Sequence, residues 1–341
     1  MLIALVYDLR KDYLAMGFGE EETAEFDSDA TISSIAQAIE GLGHQVERAG
    51  NIYDLSKRLS AGVRKNQLPR KPWDLVFNIS EGLSGRNRES QVPALLEAYG
   101  IPYTFSDPLT LSLSLDKEMA KKVVRAAGVP TPDSFVVESV KDLKKIPLQV
   151  YPLFVKPLSE GTGKGITPSS VVKNPKELKA QCKRLLGGYG QPVLVETFMP
   201  GREFTVGIIG TGNDARVVGA LELELLKGAE PGVYSYLNKE LCEERVRYVL
   251  VKNKKILKEL SVLALKAYRA LGCRDAGRLD FRQDGAGHAS FLEANPLAGL
   301  HPTHSDLPIL CRQAGMPYPE LIDAIIQSAA KRLPENKRAV S

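Results

Sequence analysis

Cysteine is scarce in this sequence and never closely spaced. The four residues, Cys182, Cys242, Cys273 and Cys311, lie far apart and form no CxxC pair. That spacing excludes the usual structural zinc sites and makes reduced thiols the simplest account. No run of 18 or more apolar residues occurs, so nothing reads as a membrane span. The start, residues 1–8, has neither a basic leader nor a small-residue cleavage site and does not read as a signal peptide. Charge of one sign is not concentrated either. The formal net charge of +4 is spread along the chain and makes no argument for nucleic acid. There is no HExxH, no nucleophile elbow, no internal repeat and no low-complexity tract, which leaves hydrolase readings without support. A cytoplasmic globular protein is the expectation.

What is present is ordinary globular composition, 43% apolar and 25% charged over 341 residues, enough for two or three domains. Strands are expected at 2–7, 45–48 and 74–78, and helices at 31–42, 52–59 and 93–99. In the first helix Ile32, Ile35, Ala36, Ile39 and Leu42 recur at helical spacing. Alternating strand and helix predicts an open parallel sheet that binds ligands at its strand ends, where the polar loop 80–89 falls. An acidic loop covers 17–29. A linker over 101–108 then leads to a helix at 115–127, strands at 134–137 and 153–156, a helix at 175–186 and a strand at 193–196. A third unit has strands at 203–209 and 217–226, a loop over 227–244 and a helix at 256–271 stopped by Gly272. A last helix at 319–330 precedes a loose end at 331–341.

Two apolar runs, 278–281 and 289–292, flank the turn-rich segment 283–287 and read as a β-hairpin. Glu293 and Asn295 share one strand face, and pairing the strands can bring Asp280 beside them, with Arg278 on the same side. Two carboxylates and an amide oxygen suit Mg²⁺, which leaves its other positions to phosphates and water. The same residues also fit a hairpin with a solvated acidic face. Upstream, Ser159-Glu160-Gly161-Thr162-Gly163-Lys164-Gly165 can turn backbone N–H groups toward an anion, or can be a plain turn. It is not a P-loop: Leu158 stands where glycine is needed, and Gly165 replaces Ser/Thr. Lys117 and Lys156 for phosphates, Glu196 and Glu203 for a ribose, and the carboxylate hairpin together describe an ATP site. His44 and His288 sit at turns as bystanders. His301 and His304, with Ser305 and Asp306, either line a substrate pocket or cap the next helix.

These residues carry a family resemblance from about 75 to 320. Gln91-Val92-Pro93-Ala94-Leu95-Leu96-Glu97, Leu115-Asp116-Lys117, Val155-Lys156-Pro157 with Glu160-Gly161-Thr162, Gly201-Arg202-Glu203-Phe204, Gly277-Arg278-Leu279-Asp280 and Leu292-Glu293-Ala294-Asn295 follow in order. The pattern resembles the D-alanine–D-alanine ligases of the ATP-grasp superfamily. The resemblance implies an α/β ATP-grasp fold of three domains: a Rossmann-like N-terminal one over 1–105, a central one over 106–195 and a C-terminal one over 196–335. It implies ATP between the last two, with Lys117, Lys156, Glu160, Gly161, Gly163 and Lys164 around the phosphates and Glu196 and Glu203 on adenine and ribose. Two Mg²⁺ ions, or Mn²⁺ in their place, would be held by Asp280, Glu293 and Asn295. Arg278, Lys239 and Thr162 would act on the reacting groups. The implied reaction joins two amino acids through an acyl phosphate, releasing ADP and phosphate, with peptidoglycan synthesis as the setting and a homodimer as the family's common state.

The substrate half departs from the family. Its N-terminal GGxSxE is absent, and its HGxxGEDG loop reads Glu81-Gly82-Leu83-Ser84-Gly85-Arg86-Asn87-Arg88-Glu89. Thr162 replaces a serine, Lys164 adds a cation, Glu240 replaces the tyrosine after Lys239, and the segment through His304-Ser305 gains a residue. Glu81, Arg88, Glu240, His304 and Ser305 are therefore the expected substrate contacts. Arg88 and Lys164 suggest a larger or more acidic substrate than D-alanine, and a catalytically silent ATP-binding protein is the alternative from another class.

Overall fold

The structure is a computed structural model that describes residues 1–61, 71–147 and 150–333. The loose end expected over 331–341 lies, from 334 onward, outside the described residues. Three sheets organise the chain. The first contains β1 (Leu2–Val6), followed by α1 (Arg10–Ala15) and α2 (Asp29–Gly41), then β2 (Gln45–Gly50), α3 (Ile52–Ala61), β3 (Leu75–Asn78) and α4 (Gln91–Ala98). The strand order is β2-β1-β3, and both pairs are parallel, as the strand–helix alternation requires. Ser28 starts α2 by accepting the Thr31 N–H at 3.2 Å, and the helix buries the expected Ile32, Ile35 and Ile39 face.

The expected linker is partly a helix. Asp107 accepts the Thr110 N–H at 2.9 Å, Pro108 occupies the first turn, and α5 (Pro108–Leu115) follows. Asp116 ends α5 and caps α6 (Lys117–Ala126), so a single residue sets the direction from which Lys117 leaves the chain. Next come β4 (Ser134–Val137), β5 (Leu153–Pro157), β6 (Val171–Val172), α7 (Pro175–Tyr189) and β7 (Val193–Thr197), giving an antiparallel sheet ordered β4-β7-β5-β6.

The third sheet is built from β8 (Glu203–Ile209) and β9 (Arg216–Leu225). After these, two short helices, α8 (Tyr236–Glu240) and α9 (Cys242–Arg245), occupy what was expected to be loop. Ser235 caps the first, accepting the Asn238 N–H at 3.2 Å. A strand the periodicity did not signal, β10 (Val246–Leu250), pairs antiparallel with β9. Then α10 (Lys254–Leu271) ends on left-handed Gly272, and β11 (Ala276–Gln283) and β12 (Ala289–Asn295) form the hairpin. The order is β10-β9-β8-β11-β12. The last described elements are α11 (Asp306–Gln313), which begins after Ser305 where a helix start was one of the two readings, and α12 (Tyr318–Ala330). Among the described residues no helix is long and apolar enough to cross a membrane.

The ends of the chain share a core: Ile3, Leu5 and Phe77 of the first sheet pack with Leu307, Ile322 and Ile325 of the last helices. A buried polar joint sits at its edge. Asp275 is fully buried with φ +64°, accepts the Phe105 N–H at 2.7 Å, and pairs with Arg332 Nη2 at 2.8 Å. Asp275→Ala leaves the Phe105 amide without its acceptor and the Arg332 guanidinium with only the Tyr103 carbonyl among the described residues, and should cost about 3 kcal/mol in chemical denaturation. A loss below about 0.5 kcal/mol, the surface-substitution range, would contradict this role.

Candidate active site

The hairpin register sets the chemistry. Asp280 stands directly opposite Glu293, and Arg278 opposite Asn295. Thr205 on β8 donates to Asp280 Oδ1 at 2.7 Å, while Arg278 Nη1 reaches Asp280 Oδ2 at 2.5 Å and Asp306 Oδ2 at 3.2 Å. Lys117 Nζ lies 3.5 Å from Glu293 Oε2. Burial and the facing Glu293 push the Asp280 carboxyl up, against the pull of Arg278. Burial also opposes charge on Glu293, but Lys117, Lys156, Lys239 and Arg278 together hold it well below the carboxylate range. Among the described residues no three Asp, Glu, His or Cys side chains converge as a complete metal cage. Two crowded carboxylates beside an amide therefore offer a partial oxygen shell, the donor set of an ion that takes its remaining ligands from phosphate and water.

A cleft opens between the second and third sheets beside this cluster. Phe154, Phe198, Met199 and Leu292 give it apolar walls, and Lys117, Lys156, Lys239 and Asp280 line its polar part. The Phe154 and Phe198 rings lie nearly parallel, 23° apart with centroids 6.4 Å apart. The glycine loop closes one side. Thr162, Gly163 and Gly165 all have positive φ, at 48°, 73° and 76°. Thr162 Oγ1 is buried without a partner, and a Cβ at Gly163 would stand 2.9 Å from the Tyr236 amide nitrogen. An anion fits such a cradle.

Arg88 sits away from the pocket expected for it, whereas Lys164 lines the cleft with Glu160 and Gly163 of the glycine loop. Both are buried, and both turn to Glu25 of the N-terminal acidic loop, at 2.9 and 3.5 Å. Lys164 also pairs with Glu160 at 2.6 Å, and Arg88 donates to Ser159 O at 2.8 Å. Glu25 completes the joint by accepting the Gly161 N–H at 2.7 Å. Burial disfavours its charge, but the two cations hold the Glu25 carboxyl below its ordinary value. With their charge spent inside the protein, neither cation is a free receptor for an acidic substrate, and Arg88 does not line the substrate pocket.

That pocket adjoins the cleft. Glu81, Glu240, His304 and Ser305 line it, together with Thr162, Arg278 and Asn295. His301 and Ser305 also act locally: Ser305 Oγ accepts the His301 N–H at 3.0 Å, and His301 Nδ1 accepts the His304 N–H at 3.2 Å. Lys117, Glu160, Tyr234, Lys239 and Glu293 line both spaces, so the two pockets share a wall. Lys239 Nζ sits 4.9 Å from the Tyr234 ring centroid, and the Tyr234 hydroxyl meets that of Tyr248 at 2.8 Å.

With this geometry in place, the comparisons are direct. The model of the family described as D-ala D-ala ligase C-terminus matches residues 123–327. The D-alanine–D-alanine ligase of Bordetella petrii is 34% identical over 283 residues, covering 82% of each chain. The chain belongs to the D-alanine–D-alanine ligase family. Its members are ATP-dependent ligases that form amide bonds. The solved D-alanine–D-alanine ligase of Bacillus anthracis, complexed with ATP, superposes with a TM-score of 0.71 at 21% identity, over 97% of this chain and 98% of that one. The VanG D-Ala:D-Ser ligase of Enterococcus faecalis gives 0.72 at 22%, over 96% and 99%. The fold is the family's ATP-grasp fold.

Within this ligase fold the expected adenine-side acids are already engaged. Glu203 pairs with Arg282 at 3.0 Å. Glu196 lies 2.6 Å from Lys121 and 3.0 Å from Lys156. Burial opposes its ionisation, yet the two lysines hold the Glu196 carboxyl below its usual value, while burial pulls Lys121 down. Lys121, Arg282, Glu25, Glu89 and Tyr234 are site residues that the sequence reading missed. Glu25, Glu89 and Tyr234 lay in loops the sequence marked, 17–29, 80–89 and 227–244, whereas Lys121 and Arg282 had no signal. Glu196→Gln would leave two lysines facing each other in a dry site and should cost about 3–5 kcal/mol in denaturant titration. Unchanged stability would mean that the triad is not formed.

Proposed function

We propose that this chain couples ATP cleavage to joining the carboxylate of one amino acid to the amine of a second, in the cytoplasm, using three domains bounded near residues 105 and 195. The observation that carries the reading is the wall shared by the two pockets. A nucleotide in the cleft would present its terminal phosphate to a carboxylate in the neighbouring pocket, across Lys117, Lys239 and Glu293. D-alanine, the substrate in the names of the relatives, is the reference partner.

In this account each residue has an electrostatic task. Lys117 and Lys239 offset charge on the phosphoryl group as it moves, and Thr162 and Gly163 cradle its oxygens. A divalent cation held by Asp280, Glu293 and Asn295 would supply further charge to those oxygens when bound. Arg278, fixed between Asp280 and Asp306, faces the substrate pocket, where it can stabilise an oxyanion as the amine attacks the acyl phosphate. The glycine loop against the backbone before α8 excludes water that would hydrolyse this intermediate.

Incubation with ATP, Mg²⁺ and pairs of D- and L-amino acids should release phosphate for at least one pair. Silence across a broad panel would contradict the reading. Glu293→Gln should lower turnover by about 10²-fold or more with the fold intact. Near-normal turnover would remove Glu293 from the metal assignment.

A further inference from the structure

The substrate pocket carries more acid than an amino acid's own α-ammonium can answer. Asp27 before α2, Glu81 after β3 and Glu89 in the one-turn helix Arg88–Ser90 all line it, and none of the three lines the nucleotide cleft. Arg88 acts on Glu81 and Glu89 from a distance but pairs with Glu25 instead, which leaves both carboxyls open to a cation of the substrate. Glu25, the nearby acid that could have shared the task, is committed to Arg88 and Lys164. Among the described residues no hydrogen bond or ion pair engages the carboxyl of Glu81 or Glu89. Burial, then the charges of Glu89 and Glu25, push Glu81 up, and burial drives Glu89 to about 7, each against the pull of Arg88.

A second observation points to a ligand. Ser114, on α5, lines the same pocket at 3% exposure, and its Oγ has no hydrogen-bond partner among the described residues. Two carboxyls and a hydroxyl give three acceptors, the complement of the three N–H donors of an ammonium group.

We infer that Glu81, Glu89 and Ser114 form a subsite for the side-chain ammonium of a basic amino acid, which is the preferred substrate of the pocket. The inference rests on the ligase reading for the identity of the ligand as an amino acid. Its geometry reverses the preference for acidic substrates that Arg88 and Lys164 suggested from sequence. Asp27 remains for a second cationic group, such as the α-ammonium.

Ornithine and norvaline differ only by the terminal amine, so they isolate the effect. Calorimetry is run on the full chain with Mg²⁺ and a non-hydrolysable ATP analogue, using both enantiomers of each. One enantiomer of ornithine should bind about tenfold or more tighter than its norvaline counterpart, the size of one charge-assisted hydrogen bond. In the double variant Glu81→Gln/Glu89→Gln the ratio should fall toward one, with analogue binding confirming the fold. Equal affinities, no binding of either compound, or a preference that survives in the double variant would overturn the subsite. Phosphate release with ATP separates the two readings. A binding preference without turnover keeps the subsite and removes the ligase. Turnover with norvaline at equal affinity does the reverse.

Discussion

The cross-strand pairing of Asp280 with Glu293 is the constraint on which the site depends. Two carboxylates placed opposite each other in a sheet repel, and their burial adds a desolvation cost to that repulsion. The pairing holds because cations arrive from separate parts of the chain: Lys117 from the start of α6, Lys156 from the end of β5, Lys239 from α8 and Arg278 from the hairpin itself. Each belongs to a different element, so the hairpin cannot be stable in this form unless the second and third sheets close on it. The charge balance that satisfies the folded state also surrounds the place where phosphate would pass.

The same logic of compensation explains the departures from the family. A cation at Arg88 and another at Lys164 would be costly beside the glycine loop if they stood alone. Glu25 and Glu160 together balance the two charges, and Glu25 fixes the loop through the Gly161 N–H. Arg88, Lys164 and Glu25 act as one unit, so an argument from either cation alone misreads the pocket. Glu81 and Glu89, whose carboxyls no ion pair engages among the described residues, line the pocket proposed for the substrate.

Local pattern carried much of this, and long-range contact carried the rest. The hairpin, the helix opening at Lys117 and the positive-φ loop around Gly163 were legible because each depends on spacing within a few residues. The parallel first sheet followed from strand–helix alternation. Glu25 meets Gly161 across 136 positions, and Asp275 meets Phe105 across 170, so neither pairing leaves a trace in local periodicity. The helix α5 was hidden by its proline, although Asp107 and Pro108 together are a start signal as well as a break. The helices α8 and α9 span only five and four residues, too short to display a period. Charge read from sequence was the weakest guide: Arg88 and Lys164 looked available until their partner was located.

The central claim is that the two pockets meet so that a substrate carboxylate attacks the terminal phosphate of ATP. A carboxylate substrate labelled with oxygen-18, turned over with unlabelled ATP, tests it most directly. Attack by the carboxylate followed by displacement by the amine transfers one labelled oxygen to each phosphate released. Phosphate carrying that label is the predicted result. Unlabelled phosphate formed alongside amide product would contradict the account.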